Sequence, residues 1–418
     1  MSSSPAYGPI APHERIDTLD VLRGFALLGI LLMNIEGLAG PLALTATGID
    51  PHWQGADRIV DGLIYVLVQG KFYTLFSLLF GMGFAVMSAR AEAAGRDFAG
   101  VYWRRGLVLL GIGLVHALLI WAGDILTSYA LLCFLLLALR QVAPRWQALL
   151  GIGAYAAGLG MIVLSGLVFT MMRATPELSA ELDKMLAAQQ LEPMVQAQRL
   201  AYGQGGYWQA VLLRAQDSAM QWQGLTVFGP MLFGLFLLGS ALVGSGAMSQ
   251  PERHGRLFAG LRWIALPLGL AVVLLSCAVE TYFDPGRFDL RQATAMALFS
   301  VGGAGMALGY LGWIVRLMQR PGGARGLRWL APAGRMALSN YLMQSLVCTL
   351  IFYGYGAGQF ERLPRAWQPL FVLGLFLLQV LISTAWLRAF RFGPVEWLWR
   401  SLTYLQWQPL RRRAHAGH

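Results

Sequence analysis

Charge is what this 418-residue chain has least of. Only 13% of its residues are Asp, Glu, Lys or Arg, about half the share of a soluble globular protein. Lysine is almost missing: Lys71 and Lys184 are the only two, so nearly all the basic residues are arginine. Cysteine is scarce as well. Cys133, Cys277 and Cys348 each sit inside an apolar run, with no Cys-x-x-Cys pair. That excludes a disulfide framework or a zinc module and leaves them as small core hydrophobes. Residues 1–17 carry neither the basic start nor the cleavage site of a signal peptide, so the first apolar run is expected to be a retained helix. Gly-x-Ser-x-Gly and His-Glu-x-x-His are absent. Lys71 follows a glycine but precedes Phe72, so no Walker loop exists. Gly151-x-Gly153-x-x-Ala156 lies within a helical run, without the strand–turn–helix context a dinucleotide site needs.

What is abundant is apolar. The chain is 56% hydrophobic and holds 50 glycines. Apolar runs of about 20 residues suit helices that satisfy their own backbone in lipid, and glycine suits close helix packing there. The expected fold is all-α: a polytopic membrane bundle of about ten spans. They fall near residues 19–38, 72–87, 101–121, 125–139, 147–171, 224–244, 262–282, 292–317, 335–353 and 367–390. Residues 56–69 read as an interfacial helix leading into the second span. The expected parts are an N-terminal half (1–172), an outer amphipathic segment (173–216), a C-terminal half (217–392) and an interfacial tail (393–418). In the outer segment Leu178, Leu182, Met185 and Leu186 recur at helical spacing.

An even number of spans puts both termini on one side. That side collects 22 of the 32 Lys and Arg residues, so both termini are expected to be cytoplasmic. The net charge of +11 follows from those loops and does not call for nucleic acid. Arg411 to Arg413 read as an anchor on anionic lipid.

Ionisable and polar groups within the spans are the functional candidates. His116 is the one histidine expected at membrane depth, and Asp124 follows eight residues later. A histidine oriented by a carboxylate is a general-base arrangement. The competing reading has Gly123 end one helix while Asp124 caps the next through Thr127. Arg23 and Asn34 lie eleven residues apart on nearly one helical face, with apolar Leu27, Ile30 and Leu31 between them. Asp20 is an alternative partner for Arg23. Asn340, Gln344 and Cys348 form a stripe at i, i+4 and i+8, either lining a ligand path or joining two helices. Arg335 at the start of that stripe, like Arg104 and Arg105, is a candidate phosphate holder. His52 and Asp57, in the outer loop, are an alternative catalytic pair. No metal spacing is present.

Several stretches together resemble the YeiB family of bacterial inner-membrane proteins, the domain of unknown function 418 family. They are Leu19-Asp20-Val-Leu-Arg23-Gly24 through Asn34, Lys71-Phe-Tyr-Thr-Leu-Phe-Ser-Leu-Leu-Phe-Gly81-Met-Gly83, His116 to Tyr129, Gly334-Arg335 through Asn340 and Gln344, and Gly393-Pro394-Val-Glu396-Trp-Leu-Trp-Arg400. The resemblance extends to a broader transmembrane acyltransferase group, which includes acyltransferase-3 proteins and the heparan glucosaminide acetyltransferase. It implies acyl-coenzyme A taken at the cytoplasmic face and an acceptor acylated at the outer one. In acyltransferase-3 proteins a histidine stands eleven residues after the arginine of the Leu-Arg-Gly helix. Here that position is Asn34, so either the base has moved to His116 or this chemistry is lost. His52-Trp53-Gln54-Gly55 is similar to an outer-loop motif of the glucosaminide enzyme.

The resulting expectation is a multi-pass inner-membrane acyltransferase. Coenzyme A would lie against Arg23, Arg104, Arg105, Arg335, Asn340 and Gln344. His116 would be the base, with Asp124 orienting it and Asn34 or Asn340 polarising the carbonyl. Expected partners are membrane lipids, acyl-coenzyme A and an acceptor hydroxyl or amine; a homodimer is left open, and no nucleic acid is expected. The rivals are a transporter or lipid flippase without covalent chemistry, and a membrane scaffold subunit.

Overall fold

The computed structural model describes residues 17–95, 98–186 and 190–412. The first sixteen residues, Arg96, Arg413 and the side chain of Met185, all used in the reading above, lie outside it. The described chain is helical and has no β-strand; only isolated bridges pair Gly48 with Tyr282 and Phe390 with Arg411.

The helices run in chain order as α1 Asp17–Ala39, α2 Gly55–Leu67, α3 Lys71–Ala93, α4 Ala99–Val115, α5 Leu126–Ala138, α6 Pro144–Arg173, α7 Pro176–Leu186, α8 Leu191–Gln198 and α9 Tyr207–Gly244. They continue as α10 Gly255–Gly260, α11 Leu266–Val279, α12 Leu290–Gln319, α13 Pro321–Leu327, α14 Ala331–Arg335, α15 Ala337–Phe352, α16 Gln368–Ala389 and α17 Pro394–Tyr404. Among the described residues, eight helical segments are long and apolar enough to cross a membrane, and α5 and α15 are shorter apolar helices. Together they account for the ten expected spans. Large apolar side chains stay exposed on α6, α11 and α16, the pattern of a bundle whose outer surface meets lipid chains rather than water.

Helix α1 is the axis. Leu22, Leu27 and Leu31 are completely buried, and the helix touches α3, α12, α14, α15 and α16. The expected halves therefore interleave. Gly334 shows why glycine stands where α14 crosses α1: a Cβ there would collide with the carbonyl of Asp20. Small residues at such crossings let backbones approach.

One boundary differs from the sequence reading. The outer segment does not end at residue 216; α9 is a single 38-residue helix from Tyr207 to Gly244, with Pro230 inside it. In sequence most of its polar first half falls in the outer segment expected to be amphipathic and helical. In the fold those polar residues find partners. Asp217 accepts from Gln198 at 2.9 Å and from the Tyr202 hydroxyl at 2.6 Å. The C-terminal helix also differs from a free surface anchor. Trp399 Nε1 donates to the Arg105 carbonyl at 2.9 Å, and the Arg105 guanidinium lies 3.5 Å from the Trp399 ring centroid. So α17 is clamped to the start of α4.

Candidate functional site

The histidine at the end of α4 sits on a change of helical register. Residues His116–Ile120 form a π-turn, in which Trp121 N donates to His116 O, five residues back, at 2.8 Å. Such turns inside α-helices are rare and recur at functional sites. The chain then leaves the helix at Trp121 in an extended conformation and re-enters α5 after Asp124. Gly113 permits this return. A Cβ there would come within 2.6 Å of Thr127 N.

The turn brings His116 and Asp124 together. His116 Nδ1 lies 2.8 Å from Asp124 Oδ1, and both side chains are buried. An ionised carboxylate only accepts, so Nδ1 donates in this bond, and whenever the ring is neutral that leaves the lone pair on Nε2. Asp124 Oδ2 accepts from Thr127 N at 2.7 Å. The two sequence readings of Asp124 are thus compatible: one oxygen caps α5 and the other orients the histidine. Tyr341 covers the imidazole at 5.1 Å between ring centroids, and its hydroxyl donates to Gly123 O at 3.3 Å. His116 Nε2 is buried and bonds no described residue; the same holds for Thr127 Oγ1 and Ser218 Oγ. A half-open cleft of about 270 Å³ adjoins the turn, between α5 and α9. Ile125, Ser128 and Gln221 line its end nearest Asp124, and Leu225, Phe228 and Leu232 line its apolar length.

Where the other sequence candidates bond, the partner is neither His116 nor Asp124. Arg23 pairs with Asp20 at 3.0 Å and is about one-third exposed. Asn34 is half-buried on α1. Asn340 and Gln344 are buried, but their amides are used between helices. Asn340 Nδ2 donates to Ser383 Oγ at 2.9 Å, Gln344 Nε2 to Gln379 Oε1 at 2.9 Å, and Gln379 Nε2 to Asn340 O at 2.9 Å. The stripe is an α15–α16 ladder rather than a lined path. Arg104 Nε donates to Thr403 O at 3.0 Å, so both arginines of the pair are engaged by α17. Arg335 is half-buried at the end of α14. His52 and Asp57 do not pair with each other: His52 Nδ1 meets Asp50 at 2.7 Å, and Asp57 accepts from Ala366 N at 2.7 Å.

Two buried arginines are absent from the sequence candidates. Arg365 bonds Asp61 at 2.9 Å, Glu36 at 3.1 Å and Gln368 at 2.6 Å, tying α1, α2 and the start of α16 together at the outer end. Arg214, on α9, bonds the Leu119 carbonyl within the π-turn at 3.0 Å. The available signal was each arginine's isolation near an apolar span, since an ionisable group at that depth needs a partner.

Fold and site together define a polytopic all-α membrane protein with a buried histidine–aspartate pair. The chain is 33% identical to uncharacterized protein YxaH of Bacillus subtilis (strain 168), over 97% of this chain and 98% of that one. It is 33% identical to uncharacterized protein YeiB of Escherichia coli (strain K12), over 93% and 96% respectively. It is 28% identical to an uncharacterized 39.9 kDa protein in the amylase 3' region of Bacillus acidopullulyticus, over 95% and 96%. Residues 242–406 match the family described as protein of unknown function, DUF418. The chain belongs to this YeiB-like DUF418 family.

Proposed function

We propose that this protein is a membrane-embedded acyltransferase in which His116 is the general base. The observation that carries the reading is a buried imidazole whose Nδ1 is held by Asp124 while Nε2 bonds no described residue. That is the arrangement a base needs: one nitrogen fixed, the other free to accept a proton. The donor is acyl-coenzyme A at the cytoplasmic face, as the family resemblance implies. The acceptor is a hydroxyl or amine at the outer side of a bacterial inner membrane.

The acceptor gives its proton to His116 Nε2 as its oxygen or nitrogen bonds the acyl carbon. The thioester C–S bond breaks, and the proton passes to the leaving thiolate. Acylated acceptor and coenzyme A thiol are the products. Asp124 steadies the imidazolium formed in between. Arg23, beside Asp20, and Arg335, at the end of α14, are the cations assigned to coenzyme phosphates in this reading; Arg104 and Arg105 are held by α17.

The test is coenzyme A thiol release and label transfer from labelled acetyl-coenzyme A. Purified protein in proteoliposomes of bacterial lipid would be supplied with a panel of sugar acceptors. The expected result is turnover by the wild type and a loss of about 10²–10⁴-fold in His116→Gln. Full turnover in that variant overturns the base assignment. Solute movement without thiol release overturns the enzyme reading in favour of transport.

A further inference from the structure

We propose that Arg214 is a positioning residue for the His116–Asp124 pair, acting through the carbonyl of Leu119; calling its target a reactive pair rests on the function proposed above, but the geometry does not. A π-turn changes the helical pairing and leaves carbonyls that need other donors. Leu119 O receives two donors, the Tyr207 hydroxyl at 2.9 Å and Arg214 Nη1 at 3.0 Å.

Arg214 is itself held. Its side chain is completely buried, and Nη2 donates to the Tyr355 hydroxyl at 2.7 Å. Its guanidinium lies 5.4–6.0 Å from the ring centroids of Tyr202, Tyr207, Tyr353 and Tyr355. Four aromatic faces stabilise a cation here, so the donor to Leu119 is fixed in place.

The same face of α9 reaches the other end of the turn. Gln221 is seven residues on, about 20° from Arg214 around the helix. Gln221 Nε2 donates to the Asp124 carbonyl at 2.8 Å. One rigid helix therefore grips the backbone at Leu119 and at Asp124, on either side of the stretch that sets the His116–Asp124 distance. Without the guanidinium, Tyr207 alone holds the Leu119 carbonyl. The simplest relaxation returns residues 116–120 to α-helical pairing, which moves Asp124 relative to the imidazole. His116 then loses its preference for carrying the hydrogen on Nδ1.

Nitrogen NMR of histidine-labelled protein in lipid nanodiscs reads this directly, with His116→Gln assigning the resonance. Wild type is expected to show one tautomer, protonated on Nδ1. Arg214→Gln is expected to reduce that preference about tenfold, the worth of one charge-assisted hydrogen bond. Tyr207→Phe, which removes only a hydroxyl from Leu119, is expected to cause a smaller change in the same direction. Tyr355→Phe removes a bond from Arg214 but none from Leu119 and keeps the ring beside the guanidinium; it is expected to change the His116 signal less than Arg214→Gln does. Wild-type tautomer ratios in both Arg214→Gln and Tyr207→Phe overturn the proposal. The readout is the protonation of a ring, so a protein that transfers no acyl group would still pass or fail it.

Discussion

Two of the buried polar sets in this bundle end differently. Along α15 and α16, Asn340, Gln344, Gln379 and Ser383 bond one another. At the turn after α4, His116 and Asp124 bond each other, yet His116 Nε2 bonds no described residue. Asn340 and Gln344, like His116, read in sequence as polar residues in apolar helices. The difference is that an amide ladder holds helices together, whereas an imidazole fixed at one nitrogen keeps the other for chemistry. Substitutions that separate stability from turnover should tell the two apart.

The largest expected effect is at the turn. Asp124→Asn keeps an oxygen to cap α5, and Asn caps as well as Asp. Thermal unfolding in detergent should place the variant within about 1 kcal/mol of wild type. Acyl transfer should fall about 10²–10⁴-fold, because the neutral amide no longer steadies the imidazolium. A variant that loses stability while keeping its rate would return Asp124 to a purely capping role.

Next comes the ion cluster at the outer end, which sharpens the comparison from the side of stability. Arg365→Met removes the only cation bonded to both Glu36 and Asp61 among the described residues. Removing one partner from a buried ion group costs about 3–5 kcal/mol, to be read as a fall in the unfolding transition. The turn around His116 lies on other elements, so its tautomer should not change.

Smaller again is the ladder. Gln379→Leu breaks its bonds to Gln344 and Asn340. Interhelical hydrogen bonds in membranes contribute about 0.6 kcal/mol on average and about 1.7 at most. A modest loss of stability with unchanged turnover is expected. A large loss of turnover would mean that the stripe lines a substrate path after all.

How much of this was legible follows from the kind of signal each part leaves. The spans were legible because apolar length is a local property; α5 and α15 were found although they are short. His116 stood out because histidine inside an apolar run is costly, and Gly123-Asp124 carried recognisable cap chemistry. The π-turn was not legible: His-Ala-Leu-Leu-Ile has no feature that an ordinary helix lacks. Its cause lies some 90 residues away, in Tyr207 and Arg214. Arg365 was missed for a related reason. Its partners Glu36 and Asp61 come from α1 and α2, and only the folded chain brings the three together. Arg104 and Arg105 looked free because the sequence gives no hint that α17 folds back over them.

The smallest effect belongs to Glu396, and it extends the comparison to a buried carboxylate with a capping role alone. Glu396 Oε1 accepts from Leu338 N at 2.8 Å and Ser339 N at 3.0 Å, and Oε2 accepts from the Ser339 hydroxyl. It serves the first N–H groups of α15, which have no partner within their own helix. Burial pushes its carboxyl above the ordinary 4.5, against the pull of those donors. A carboxyl raised in the folded state binds its proton more tightly there than in the unfolded chain. Its contribution is therefore fully present below 4.5 and is lost as pH rises through the folded value. Glu396→Gln keeps an oxygen for Leu338 and Ser339 but cannot titrate. The difference in melting temperature between wild type and Glu396→Gln should thus move against wild type as pH rises through that window. His116 should stay unchanged by NMR. A difference that is flat, or that moves in favour of wild type, would show that the donors of α15 outweigh burial. Glu396 would then behave as an ordinary ionised cap.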